Sequence, residues 1–229
     1  GRSSYKRCLV NELILDRQGK KMSKSLGNAV DPLEILHQEG ADPLRWYMIT
    51  VNPVWLPTRF DRDGVKEAQS KLLGTLENTY KFFALYANLD GWRPDPARPT
   101  APTQLDRWIT SRLHSVTASV RDDLEDLNLT RAGKTIGNFV LDDLSNWYVR
   151  LSRKRFWHGE LTLDKHTAYT TLHEVLLTAV KLLAPFVPFA AEDADRRDEH
   201  LDLDALRLGI LDLLARSGHV GALAPVVDV

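Results

Sequence analysis

Four stretches of this chain place apolar residues at every third or fourth position, and that spacing constrains its architecture most. The first is Leu72, Leu76, Tyr80, Phe83 and Ala87. The second runs through Leu105, Ile109, Leu113, Val116, Val120, Leu124 and Leu127. The third is Ile136, Val140, Leu144, Trp147 and Leu151, and the fourth Tyr169, Leu172, Leu176, Val180 and Leu183. The period is that of amphipathic helices with one apolar stripe each. Such a helix is marginal alone and buries its stripe against others. The breaks between stretches are the proline-rich 93–102, the Asn128-Leu129-Thr130 corner and the 159–162 turn. Short connections of this kind predict an antiparallel helical bundle.

The residues before the bundle read differently. Residues 7–15 form a β-rich run that ends at the turn Asp16-Arg17-Gln18-Gly19. Asp31-Pro32 has the form of an N-cap followed by proline at the first helical position, opening a helix that stops near Gly40. Asp42-Pro43 repeats the signal for a second helix to about Val51. Pro53 and Pro57 keep the connector 52–60 out of helix interior. Asp61 and Asp63 then open the first bundle helix. At the far end, Ala184 to Phe189 closes the fourth helix, an acidic stretch follows, and a short helix is predicted from about Leu203 to Ala215.

Composition is that of a globular protein, 43% hydrophobic and 27% charged over 229 residues. No apolar run approaches the roughly 20 residues of a membrane span, and no signal peptide is visible, so a cytoplasmic, non-membrane protein is expected. One cysteine, Cys8, excludes an intramolecular disulfide framework and any cysteine-based zinc site. Net charge is −1, but it is unevenly spread. From Arg131 to Arg155 six Lys/Arg face two Asp, a net +4; from Glu192 to Asp204 seven acids face two Arg, a net −5. An anionic partner is attracted to the first stretch and repelled by the second.

Between the β run and the first short helix lies Lys20-Lys21-Met22-Ser23-Lys24-Ser25-Leu26-Gly27-Asn28. Three ammonium groups, two hydroxyls and a glycine in one loop can hold the phosphates of a nucleotide. Ammonium groups aimed at charge that builds during phosphoryl or nucleotidyl transfer stabilise the transition state above the ground state. Small residues let such a loop close and reopen, and Met22 is placed to anchor it. An isolated KKxxK cluster reads more readily as a solvated basic turn. The complete string, with Gly40-Ala41-Asp42-Pro43-Leu44-Arg45 downstream, resembles the KMSKS signature region of class I aminoacyl-tRNA synthetases.

That resemblance implies an ATP site to which Met22, Ser23 and Ser25 contribute and in which Lys21 and Lys24 act catalytically, Lys24 nearest the phosphates. It implies Mg2+ accompanying ATP and no zinc in this chain. Asn146-Trp147-Tyr148-Val149-Arg150-Leu151-Ser152-Arg153-Lys154-Arg155 resembles the anticodon-binding helical domain of the isoleucyl and valyl branch. The implied tRNA contacts are Asn146, Trp147, Arg150, Arg153 and Lys154. Cations near a helix C-terminus also suit the macrodipole without any ligand, and Trp147 and Leu151 fall on the apolar stripe, which favours a core role for Trp147 over base stacking. Arg155 is counted with the other cations on the helix surface.

Pro53-Val54, Arg59-Phe60 and Gly64-Val65 resemble isoleucyl enzymes of the eukaryote-like subgroup more than valyl ones. The expected fold is mainly α: residues 1–60 end a Rossmann-type catalytic domain, 61–192 form the bundle, and 193–229 diverge from the family pattern. None of the seven histidines lies in a HIGH-type string. The resemblance therefore implies that the rest of the synthetase is a required partner, that the chain alone is inactive, and that it is otherwise monomeric. A helical RNA-binding or docking module without catalysis is the alternative. Asp16, Asp31 and Asp42 are assigned turn or cap roles. Adjacent carboxylates at Asp122-Asp123 and Asp142-Asp143 diverge on a helix and cannot act as acid–base pairs.

Overall fold

The computed structural model describes residues 4–157 and 159–192. The predicted helix at 203–215 and most of the acidic stretch lie outside these residues. The bundle forms where the periodicity places it. Its first helix spans 62–89, as Arg62–Ala68, a π-helical turn Gln69–Leu73 and Gly74–Leu89. The second is Gln104–Glu125. The third spans 129–157, as Leu129–Asn138, a π-helical stretch Phe139–Val149 and Arg150–Trp157. The fourth is Leu163–Leu183.

Each start has a chemical cause. Asp61 accepts from the Asp63 amide at 3.0 Å. Thr103 and Asp106 form a reciprocal capping box at the second helix. Asn128 and Thr162 cap the third and fourth. A continuous core joins the four stripes, with Ile109, Ile136, Val140, Leu144, Ala168 and Leu172 all at 0% exposure.

The third helix departs from the predicted stripe. Trp147 and Leu151 are each 55% exposed, whereas Tyr148, Ser152 and Phe156 are at 0%. The cause is the π-helical stretch. Its i→i+5 hydrogen bonds fit more residues into each turn, so the buried line advances in steps of four: 136, 140, 144, 148, 152, 156. A plain 3.6-residue helix steps back to Trp147, which is the basis of the core role it was assigned.

The front segment is built around α1 (Pro32–Glu39) and α2 (Ala41–Thr50). Asp31 caps α1, accepting from the Leu33 amide at 2.9 Å, with Pro32 at the first position. The expected β run 7–15 shrinks to β1 (Ile14–Leu15), paired in parallel with β2 (Thr58–Arg59). With so short a partner, Val10 and Leu13 stay exposed, at 70% and 51%. Asp42 is not a helix cap. Gly40, at φ 88° and ψ 167°, turns α1 directly into α2, which leaves Asp42 inside the first turn.

Asp42 instead reaches across the molecule. Its Oδ2 accepts from the Ala190 amide at 2.7 Å, at the start of the helical residues 188–192. Burial pushes its carboxyl upward, with the Ala190 and Phe189 amides only partly offsetting this. One turn on, Arg45 donates to the carbonyls of Pro185 and Phe186 at 3.0 and 3.1 Å. Asp42 and Arg45 thus satisfy both sides of the break after the fourth helix.

Helix α2 serves two cores. Trp46 enters the bundle core and meets Phe186 edge-on at 5.7 Å. Tyr47 enters a smaller core with Ile35, Phe60 and Val65. Its hydroxyl donates to the Arg59 carbonyl and accepts from the Asp61 amide. Gly133 and Gly137 let the third bundle helix approach α2: a Cβ at Gly133 would lie 2.6 Å from Thr50 Cγ2. Thr130 Oγ1 meets the carbonyls of Ile49 and Asn52 at the same junction. The lysine loop and the bundle are therefore tied through α2.

Candidate functional site

The loop after β1 presents its lysines to solvent. Lys20, Lys21 and Lys24 are exposed, as is Ser25, while Ser23 is half-buried. Met22 packs against the Ile35–Tyr47–Phe60–Val65 core and fixes the loop as its apolar character predicts. Lys24–Leu26 make one 3-10 turn, and Gly27 at φ 67° reverses the chain behind it. The Ser23 and Ser25 hydroxyls lie 2.7 Å apart.

Two residues given no site role in the sequence reading organise this loop. Asp16 is 7% exposed; its Oδ1 accepts from the Lys20 amide and its Oδ2 from Asn28 Nδ2, each at 2.8 Å. The Lys20 amide, then the Asn28 carboxamide, hold its carboxyl below the usual carboxylate range against the effect of burial. Asn28 also accepts from the Ser23 amide at 2.9 Å and donates to the Lys21 carbonyl at 3.2 Å. Local sequence offers only a turn role for Asp16, because its partner stands twelve positions later.

The second cluster lies on the outer face of the third bundle helix. Asn146, Trp147, Arg150, Leu151, Arg153, Lys154 and Trp157 are all exposed. Arg150 and Leu151 stand three and four positions after Trp147, Lys154 three after Leu151 and Trp157 three after Lys154, so two cations lie between two indoles along one face. Trp147 packs beside Trp108, ring centroids 6.4 Å apart. Among the described residues, Arg150, Arg153 and Lys154 form no ion pair.

Arg155 does not belong to that face. It turns inward to Asp106, Nη1 to Oδ1 at 2.8 Å and Nη2 to Oδ2 at 2.9 Å, and also binds Asp164. Tyr148 donates to the same Asp106 at 2.7 Å. Burial pushes the Asp106 carboxyl up, but Arg155, Thr103 and Tyr148 outweigh it and hold it below the usual range. The network pins the end of the third helix to the starts of the second and fourth, so the outer cations sit on a fixed support. One polar cleft of about 560 Å3 lies between the second and fourth helices, lined by Thr110, His114, Thr170 and Glu174 among others. None of the loop residues and none of the outer cations lines it.

Two family models match the chain. One, described as tRNA synthetases class I (I, L, M and V), matches residues 1–56. The other, the anticodon-binding domain of tRNA ligase, matches residues 106–201. This chain belongs to the class I aminoacyl-tRNA synthetases. It is 52% identical over 213 residues to an isoleucine–tRNA ligase of Porphyromonas gingivalis, covering 89% of this chain and 18% of that protein. It is 51% identical over 195 residues to the isoleucine–tRNA ligase of Bacteroides fragilis, covering 82% of this chain and 17% of that protein. The chain therefore spans less than a fifth of the length of these relatives. A Mycobacterium tuberculosis methionyl-tRNA synthetase, solved with methionyl-adenylate, shares the fold over 78% of this chain and 36% of its own, with a TM-score of 0.66 at 24% identity. One of the two clusters falls inside each matched segment. No helix among the described residues is long and apolar enough to cross a membrane.

Proposed function

We propose that this chain is part of an isoleucine–tRNA ligase and supplies its phosphate loop and its tRNA-binding bundle. The identity to isoleucine–tRNA ligases over most of the chain favours isoleucine over valine. In the proposed reaction the isoleucine carboxylate attacks the α-phosphorus of ATP and pyrophosphate leaves. Lys21 and Lys24 offset negative charge as it builds on the α-phosphoryl oxygens and the leaving group. Ser23 and Ser25 add hydroxyl donors, and Met22 keeps the loop seated. Mg2+ would accompany the ATP phosphates and offset part of their charge. Residues 1–60 complete a catalytic domain, 61–192 bind tRNA, and the remainder of the enzyme supplies the other half of the ATP site. Alone, the chain is inactive, because half of a site does not align two substrates. The setting is cytoplasmic and the chain monomeric.

The observation that carries the tRNA role is the outer face of the third helix. Arg150, Arg153 and Lys154 are exposed beside exposed Trp147 and Trp157, form no ion pair among the described residues, and have Asn146 at their edge. Guanidinium and ammonium groups engage phosphates while indoles accept unstacked bases. Photo-crosslinking of isoleucine tRNA to the chain, mapped by mass spectrometry, tests this. Crosslinks are expected within residues 146–157. Crosslinks confined to the fourth helix or the front segment would overturn it.

A further inference from the structure

We propose that Asp16 and Asn28 are positioning residues for the lysine loop, holding it in the shape that presents Lys21 and Lys24 to an anion. The inference rests on the phosphate-loop reading and gives that loop its means of preorganisation. A loop of exposed, small and polar residues has little packing of its own. Here half-buried Met22 is its apolar foothold on the small core. Besides backbone bonds and the Ser23–Ser25 contact, two side chains tie its ends together. Asp16 closes the near end: its amide donates to the Lys20 carbonyl at 2.9 Å and its carboxylate accepts from the Lys20 amide. Asn28 closes the far end on Lys21 and Ser23, the residues on either side of Met22. The Asn28–Asp16 bond then joins the two ends.

The side-chain types are specific to this task. Asn28 donates to two oxygens and accepts from one amide, which needs both halves of a carboxamide. The reversed amide would set its oxygen against Asp16 Oδ2 and the Lys21 carbonyl. An aspartate at 28 would set two carboxylates against each other. Asp16 is the informative member. A negative charge under a loop that receives phosphates opposes binding by simple Coulomb attraction and repulsion. Its value must therefore come from the bonds it makes.

Charge and positioning thus predict opposite signs for Asp16→Asn, and this can be measured on the full chain with inorganic tripolyphosphate at low salt. Removing one negative charge should tighten binding if charge alone matters. Positioning predicts weaker binding, roughly fivefold, the worth of one net hydrogen bond. Asn28→Asp should weaken it further. The double exchange Asp16→Asn with Asn28→Asp has the net charge of the natural chain and remakes the cross-loop bond with donor and acceptor exchanged. It should recover part of the affinity lost in Asn28→Asp but not all of it, because a carboxylate at 28 makes no bond to the Lys21 carbonyl. Amide exchange at Ser23 should speed up in each single variant and slow again in the double one. If the natural chain takes up no tripolyphosphate, the phosphate-loop reading fails, and this role with it. If it binds and Asp16→Asn binds equally or more tightly, that reading stands and the positioning role is overturned.

Discussion

Replacing Trp147 and Tyr148 separately by alanine distinguishes the π-helical register from a plain helix. The two are adjacent aromatic residues, 55% and 0% exposed. A tryptophan side chain presents at most about 250 Å2. With more than half of Trp147 in water, roughly 100 Å2 is withdrawn from solvent, worth ~2.5 kcal/mol at 25 cal/mol/Å2. The surface an alanine keeps buried, and a compact denatured state, reduce the cost to about 1–2 kcal/mol. Tyr148→Ala removes a wholly buried ring, at about 3–5 kcal/mol. It also takes a hydrogen bond from Asp106, adding about 1 kcal/mol. Urea unfolding followed by circular dichroism reads the difference. With an m-value of about 2–3 kcal/mol/M, the two midpoints should lie about 1 M apart, Tyr148→Ala the lower. Equal midpoints, or a lower one for Trp147→Ala, would refute the register.

Three further outcomes follow from the same packing. Ser152 Oγ is buried with no hydrogen-bond partner among the described residues, so Ser152→Ala should leave stability unchanged or raise it by up to about 1 kcal/mol, read as a rise in Tm. Gly133→Ala drives a Cβ to 2.6 Å from Thr50 Cγ2 and should cost about 1–3 kcal/mol in chemical denaturation. Asp106→Asn breaks a buried pair whose Arg155 keeps Asp164, which points to a loss of about 2–4 kcal/mol at pH 7. The folded carboxyl lies below its ordinary value, so its contribution is present above about pH 4 and is lost as pH falls through the lower folded value. The gap between natural and variant midpoints should therefore close in acid, measured by urea unfolding between neutral and acid pH.

Much of this fold is legible in the sequence because it is written in local periodicity and capping chemistry. The four stripes, Asp31-Pro32 and the Asp61 start each depend on residues within a turn or two. The third helix shows where that reading stops. Trp147 and Tyr148 are both aromatic, so spacing alone does not choose between them. The deciding signals were small Ser152 and aromatic Phe156, which extend the line 140, 144, 148 in steps of four. Asp42 and Arg155 depart from their local reading, and Asp16 does more than its turn role, for a different reason. Each finds its partner in a distant segment: Ala190, Asp106 and Asn28. No local pattern encodes those pairings. The lysine loop is legible as a run of exposed cations, but what shapes it is not.

The salt dependence of tRNA binding tests the central claim most directly. The chain should bind isoleucine tRNA with an affinity that falls linearly in log–log form as salt rises. Reversing charge at Arg150 and Arg153 together should flatten that slope by roughly 2, one phosphate contact for each residue. Urea midpoints should not change, since both side chains are exposed. An unchanged slope, or binding that does not depend on salt, would contradict the assignment of this face to tRNA.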